Sequence, residues 1–404
     1  MRKVLFVLIL SLLFSCKNEE KEITFSEEPV KKLDLTEAEL YDKVLGMLVG
    51  SAIGDAMGAP TEMWDRGSIK LEYGFVKDLD SMVREVSPEG TWKTNLPAGG
   101  TTDDTRWKKL TFEYLTIQNS KDLKAKDFAN KILETYQISI DNYGKIKSFE
   151  PEPFEENTLK VAWLQEWAKV SKPYVAGNLD EFQTALNRFY GGEMVCAGLL
   201  YAPGIGVFFP GDPNRAYDEM YDLSIFDIGY ARDISALAAA MTSAGMKKNA
   251  KKEDLLDVLR SIDPQGYFKS RLVGRTSYRI LRTALAINRD AKAMDKDQMQ
   301  KAFELLDQNL QDMPFHAGEI HLQVLTAMLF SDFDYIKTMQ FLVNYGRDND
   351  TTAAIAGGIL GAFVGFEKLP ADKEKVIEVS KNQLDTDLEL LAQKLTKKII
   401  ELNS

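Results

Sequence analysis

Cysteine and histidine are nearly missing from these 404 residues, with two of each. The histidines, His316 and His321, stand five residues apart on different faces of a helix. They therefore do not share a metal, and a histidine-based nucleophilic triad has little to draw on. An excess of positive charge is also lacking: 50 Lys and Arg against 61 Asp and Glu give a formal net charge of -11. Nucleic acid requires clustered cations, so no nucleic-acid partner is expected. Diphosphate is awkward too, unless metals or local arginines offset the field. Strand-like alternation is almost absent, an extended piece at Leu71–Phe75 aside. There is no internal repeat, no low-complexity tract and no linker to split the chain.

The one long apolar run, Val4 to Leu13, follows Arg2 and Lys3 and is too short to span a bilayer as a mature helix. It ends in Leu13-Phe14-Ser15-Cys16, the form of a bacterial lipoprotein cleavage box. Residues 1–15 are expected to be a lipoprotein signal peptide, Cys16 the lipidated N-terminus, 16–36 a tether and 37–404 a single monomeric domain. Lys17 follows the cysteine in place of an aspartate retention signal. The expected location is therefore the cell envelope, at the outer membrane or cell surface, with the lipid anchor as the sole membrane contact. Losing Arg2 and Lys3 moves the charge from -11 to about -13. With Cys16 lipidated no internal disulfide remains, and Cys196 reads as a buried core thiol.

Against these absences stand two acidic blocks. Gly99-Gly100-Thr101-Thr102-Asp103-Asp104-Thr105 and Gly346-Arg347-Asp348-Asn349-Asp350-Thr351-Thr352 each turn on glycine and open an apolar helical pattern. Facing each other, they would offer a hard divalent cation carboxylate and hydroxyl oxygens. Read singly, each is equally a helix N-cap whose acids suit the helix dipole. The second is no calcium loop, since its sixth and twelfth positions from Asp348 are Ala353 and Ile359.

Helical patterns fill the rest. The first spans about Thr36 to Met57, with Thr36 and Glu39 as a capping box. Its glycines, Gly46, Gly50 and Gly54, recur every four residues and each weaken the helix by about 1 kcal/mol. Close approach of a neighbouring backbone would compensate, which makes this helix central. Asp55, at the end of the stripe, either braces the acidic blocks or bonds local backbone. Further helices are expected at 103–118, 123–141, 158–172 and 180–190, with loops near 65–100 and 203–215. Trp163, Trp167, Phe182 and Tyr190 are read as packing between helices. Asp350 to Phe366 forms a second central helix, and the leucines from Leu384 to Leu402 a helix docked on the core. The fold class is all-α, a compact orthogonal helical bundle.

The segment Gly46 to Glu62 reads G-x-x-x-G-x-x-x-G-D-x-x-G-x-x-x-E. With T-D-D-T and G-x-D-x-D-T downstream, it resembles the ADP-ribosylglycohydrolase family, including the dinitrogenase-reductase-activating glycohydrolases, from about Leu40 to about Gly365. The resemblance implies two magnesium ions, with manganese as the alternative, held by Thr102, Asp103, Asp104, Asp348, Asp350 and Thr351. Glu62 would be the catalytic carboxylate beside the scissile bond. Gly100, Gly192 and Glu193 would contact a small-molecule or glycosyl-conjugate substrate. The implied activity is hydrolysis of an N- or O-glycosidic bond at a ribose-like anomeric carbon. Alternatives are an exported hydrolase of another nucleoside or saccharide conjugate, and a non-catalytic metal-dependent binding protein. The segments Gly191 to Ala197 and Ser224 to Asp233 depart from the family pattern. They offer Glu193, Asp227 and Asp233 beside a single Arg232, so weak recognition of the adenosine diphosphate half is expected.

Overall fold

The computed structural model describes residues 33–147 and 151–404. The expected signal segment, Cys16 and most of the tether lie outside the described residues. The first helix, α1 (Glu37–Gly58), starts on the capping box: Glu39 N–H donates to Thr36 Oγ1 at 3.2 Å, and Thr36 N–H to Glu39 Oε2 at 2.9 Å. Next come α2 (Arg66–Glu72), α3 (Asp103–Thr116), α4 (Ala125–Gly144), α5 (Pro151–Ala176) and α6 (Leu179–Leu186). They are followed by α7 (Ala202–Val207), α8 (Pro213–Leu223), α9 (Ala231–Gly245), α10 (Lys252–Ser261), α11 (Thr276–Lys292) and α12 (Gln298–Asp307). The chain closes with α13 (Ala317–Phe330), α14 (Tyr335–Tyr345), α15 (Asn349–Val364), α16 (Asp372–Gln383) and α17 (Leu388–Glu401). Among the described residues β-pairing is limited to two isolated bridges, Met82 with Leu96 and Val195 with His316.

The glycine stripe of α1 is a seam against α15. A Cβ on Gly46 would lie 2.5 Å from Gly361 O, one on Gly50 2.6 Å from Gly357 O, and one on Gly54 2.1 Å from Ala353 O. Gly361 returns the contact, its Cβ falling 2.0 Å from Gly46 O. The rising numbers on one helix meet falling numbers on the other, so the pair is antiparallel with a four-residue repeat. That register carries Gly58 onto Asp350, 2.4 Å from its Cα to a built Cβ. The seam thus ends at the second acidic block. Around it, α3, α16 and α17 pack on α1, and α9, α13 and α14 pack on α15. Lys43 fastens one end, its ammonium donating to Gly245 O, Ala362 O and Phe363 O at the C-termini of α9 and α15.

An aromatic cluster anchors α5 to α3: the Trp107 ring centroid lies 4.1 Å from Trp167 and 5.3 Å from Trp163. Three local expectations give way. The 203–215 stretch contains helix α7, because Gly204 and Gly206 serve packing rather than turning; a Cβ on Gly206 would sit 2.4 Å from Ala239 O. Leu71 and Glu72 end helix α2, which Asp65 caps by accepting from Gly67 and Ser68 N–H, so no extended piece forms there. The 180–190 helix stops at Leu186. Tyr190, Gly191 and Gly192 then adopt φ of +44°, +73° and +86°, which no helix continues.

Candidate active site

The acidic blocks meet at the N-termini of α3 and α15, and each threonine bonds the other block's aspartate. Thr102 Oγ1 lies 3.2 Å from Asp350 Oδ2, and Thr351 Oγ1 donates to Asp104 Oδ2 at 3.0 Å. Asp55 braces this arrangement rather than local backbone. Its carboxylate accepts from Thr102 N–H at 2.9 Å, Thr105 N–H at 3.0 Å and Thr105 Oγ1 at 2.6 Å. Asp104 is further tied to Lys108, one turn along α3, at 2.9 Å with both side chains buried. An i, i+4 pair is a readable signal, yet Lys108 passes in the sequence for one of many surface lysines.

Glu62 reaches the site through backbone. Met63 N–H donates to Arg347 O at 2.7 Å, and Arg347 N–H to Trp64 O at 3.0 Å. Asn349 Nδ2 holds Thr61 Oγ1 at 2.9 Å. Arg347, at φ +67°, is fixed in turn by Glu319, which accepts at 2.8 and 2.9 Å. Glu62, Asp348 and Asp350 consequently each bring a carboxylate oxygen within 4.8 Å of the others. Arg84, from the irregular stretch before α3, pairs with Glu62 and donates to Ala59 O at 3.0 Å.

These acids, with Asp103 and Thr351, line a cavity of about 380 Å³. The rest of the lining includes Trp167, Tyr190 and Phe315, the exposed Glu89, and the Val195–Ala197 strip. Cys196 N–H donates to Phe315 O and Ala317 N–H to Met194 O, which holds that strip to the start of α13. Thr102 and Asp104 stand behind this wall. Gly100, Gly192 and Glu193 do not line the cavity. Gly100 packs on Leu96, 2.7 Å from a built Cβ to the Leu96 Cβ. The left-handed turn at 190–192 leaves Glu193 exposed to solvent, while the Tyr190 ring lines the cavity. Asp227 and Asp233 do not line it either. Asp227 accepts from Gly198 N–H and Ser235, whereas Asp233 takes both arms of the buried Arg275. Arg232 donates to Tyr221 O. His316 caps α13 and His321 is buried within it, so neither belongs to the site. Trp167 and Tyr190 pack between helices as expected and also face the cavity. Glu89 and Arg84 lie in a stretch without periodicity, where nothing in the sequence marks them.

Burial, reinforced by Glu62 and Asp104, pushes the Asp348 carboxyl up to about 8. Burial and the neighbouring Asp104 push Asp55 up to about 7. Burial and neighbouring carboxylates also raise Asp350, and burial raises Asp103 although Arg106 opposes it. Asp350 Oδ1 is buried without a hydrogen-bond partner. An orphaned oxygen among crowded acids, beside a threonine hydroxyl, is the donor set that a hard divalent cation fits.

A carboxyl whose folded pKa exceeds its unfolded value contributes stability that is fully present below about pH 4, where the folded and unfolded states both hold the proton. That contribution is lost as pH rises through about 7 for Asp55 and about 8 for Asp348. Chelator-treated protein should therefore melt at progressively lower temperature from about pH 5 to about pH 8.5, and divalent cation should restore most at the alkaline end. Thermal melts across that range check this; a metal-free melting temperature that climbs with pH would contradict the raised carboxyls.

A family model described as ADP-ribosylglycohydrolase matches residues 36–403. The chain belongs to the ADP-ribosylglycohydrolase family. The family is one of hydrolases acting on glycosyl bonds. The solved structure of an ADP-ribosylglycohydrolase-related protein complex shares the fold, with a TM-score of 0.57 and 19% identity. That likeness covers 89% of this chain and 99% of the other. A stretch of 35 residues is 46% identical to the uncharacterised protein YegU of Escherichia coli (strain K12). It covers 9% of this chain and 10% of that protein, so the match spans about a tenth of the relative's length.

Proposed function

We propose that this family member is a magnesium-dependent hydrolase of an N- or O-glycosidic bond at a ribose-like anomeric carbon. The observation that carries the reading is the convergence of Glu62, Asp348 and Asp350 on one cavity, with Asp350 Oδ1 left unpartnered. Asp103, Asp348, Asp350 and Thr351, joined by Glu62, would hold magnesium or manganese, with Thr102 and Asp104 bracing that set from behind the cavity wall. A cation held by these residues would supply the positive charge to polarise hydroxyls of a bound sugar. Glu62 accepts a proton from the water that attacks the anomeric carbon as the bond to the leaving group breaks. Arg84 fixes the Glu62 carboxylate for that task, and the proton that Glu62 takes from the water passes on to the leaving group as it departs. Turnover of ADP-ribosylated peptides, nucleosides and glycosides, with and without magnesium, tests the reading. Failure to release sugar from any of them would defeat it.

The address is a proposal of its own, made on the sequence of residues 1–16. A Cys16→Ala chain should lose its lipid and either leave the membrane fraction or keep its signal segment. Fractionation and intact-mass measurement decide this; a wild-type chain found in the cytosol with residues 1–15 attached would overturn it.

A further inference from the structure

We propose that the cavity takes an uncharged glycoside with a planar, aromatic leaving group and discriminates against phosphate-bearing substrates, with Glu89 as the specificity-determining residue. This substrate class rests on the hydrolase reading of the same site.

Charge is the first support. The lining holds no lysine or arginine, and of its carboxylates Glu62, Asp103, Asp348 and Asp350 belong to the proposed metal site, which leaves Glu89 as the negative charge outside that set. The arginines close to the site are already engaged. Arg84 pairs with Glu62 and Ala59 O. Arg106 donates to the carbonyls of Pro88, Glu89 and Gly90 and lies 4.0 Å over the Trp92 ring. Arg347 is held by Glu319 and Gln311 O. A phosphate needs such groups, or free backbone N–H groups, to replace its water.

The backbone donors are the second support. Along the cavity strip, Val195 N–H donates to Glu193 O, Cys196 N–H to Phe315 O and Leu200 N–H to Ala197 O. At the start of α3, Thr102 and Thr105 N–H go to Asp55, Asp103 N–H to Glu89 O and Asp104 N–H to Thr102 Oγ1. At these positions no cradle is left for an anion.

Aromatic rings replace it. Tyr190 sits at φ +44°, a strained setting for a bulky residue, and lines the cavity edge-on to Phe189 at 4.7 Å and to Phe315 at 6.0 Å. Trp167 is clamped by Phe189 at 5.1 Å and Phe226 at 4.6 Å. Rings fixed in this way offer a planar aglycone apolar contact, while neutral Ser87 and Tyr190 hydroxyls suit sugar oxygens. Glu89, exposed in the lining, places a negative charge where an anionic extension would pass.

The test compares kcat/KM, in magnesium, for both anomers of 4-nitrophenyl ribofuranoside, methyl ribofuranoside and an ADP-ribosylated peptide. The aryl riboside should exceed the ADP-ribosylated peptide by at least about tenfold. Glu89→Gln should shift that ratio toward the ADP-ribosyl substrate by about three- to tenfold. Tyr190→Ala should raise KM for the aryl riboside more than for the methyl riboside, a difference that general loss of structure does not produce. Preference for the ADP-ribosyl substrate, or a ratio unmoved by Glu89→Gln, overturns the proposal. If no glycoside is cleaved, the hydrolase reading falls, and calorimetric binding in magnesium decides the inference. Tighter binding of the aryl riboside than of ADP-ribose then upholds it, and the reverse order overturns it.

Discussion

The Asp350→Asn variant is expected to melt at the same temperature with and without magnesium, and to lose at least about a thousandfold in glycoside turnover. The wild-type protein, at magnesium a hundred times the dissociation constant, should gain about 2.7 kcal/mol of stability. The argument rests on Asp350 Oδ1, a buried oxygen with no protein partner. Asparagine keeps the shape and removes the charge. Because burial raises the Asp350 carboxyl, ionising it in the folded state costs stability as pH rises. Without metal, the variant should therefore be at least as stable as the wild type near pH 8. Calorimetric melts with chelator and with magnesium separate this from simple misfolding. A variant that still responds to magnesium, or still turns over substrate, would remove Asp350 from the metal site.

Gly361→Ala should have the largest effect on folding. A methyl group there would lie 2.0 Å from Gly46 O and 2.8 Å from its carbonyl carbon, backbone atoms that no rotamer change can move aside. The two central helices must separate, at a cost of at least about 3 kcal/mol. Displacing α15 also drags Asp348 and Asp350, so magnesium should stabilise whatever folded protein remains far less. Gly144→Ala is the control, because a Cβ there meets nothing within 4 Å. Alanine at that helix end should be neutral or stabilising by up to about 1 kcal/mol. Equal urea midpoints for the two variants would show that the seam is looser than its geometry.

The seam itself was legible because three glycines at four-residue spacing have no other use in a helix that must survive their cost. The capping box at Thr36 and Glu39 was equally plain, since both partners lie within one turn. The meeting of the acidic blocks came from family resemblance, as nothing local to either block points to the other across 247 residues. Tyr190 packs between helices as its pattern suggests and also faces the cavity, because an aromatic residue after an amphipathic stretch has the same pattern in either setting. Gly192 and Glu193 were displaced by a turn whose left-handed φ values begin at a tyrosine, where sequence gives no warning. Asp227 and Asp233 are bonded to buried partners away from the cavity and do not set its charge. The cavity's own acids, Glu89 among them, carry it.

The pairing of α1 with α15 also sets an order of events during synthesis. Helix α1 is the first of the described helices to be made, yet its glycine face is covered by residues 349–364. Until those residues are available, a stripe of bare backbone and small side chains waits for its partner while some three hundred intervening residues accumulate. Such a topology ties the core to non-local contact and exposes apolar surface to aggregation along the way. A chain truncated before Asn349 has no central helix pair and no Asp350. The candidate site therefore cannot assemble before residues 349–364 have been made, and a chain ended ahead of them lacks one of its two acidic walls.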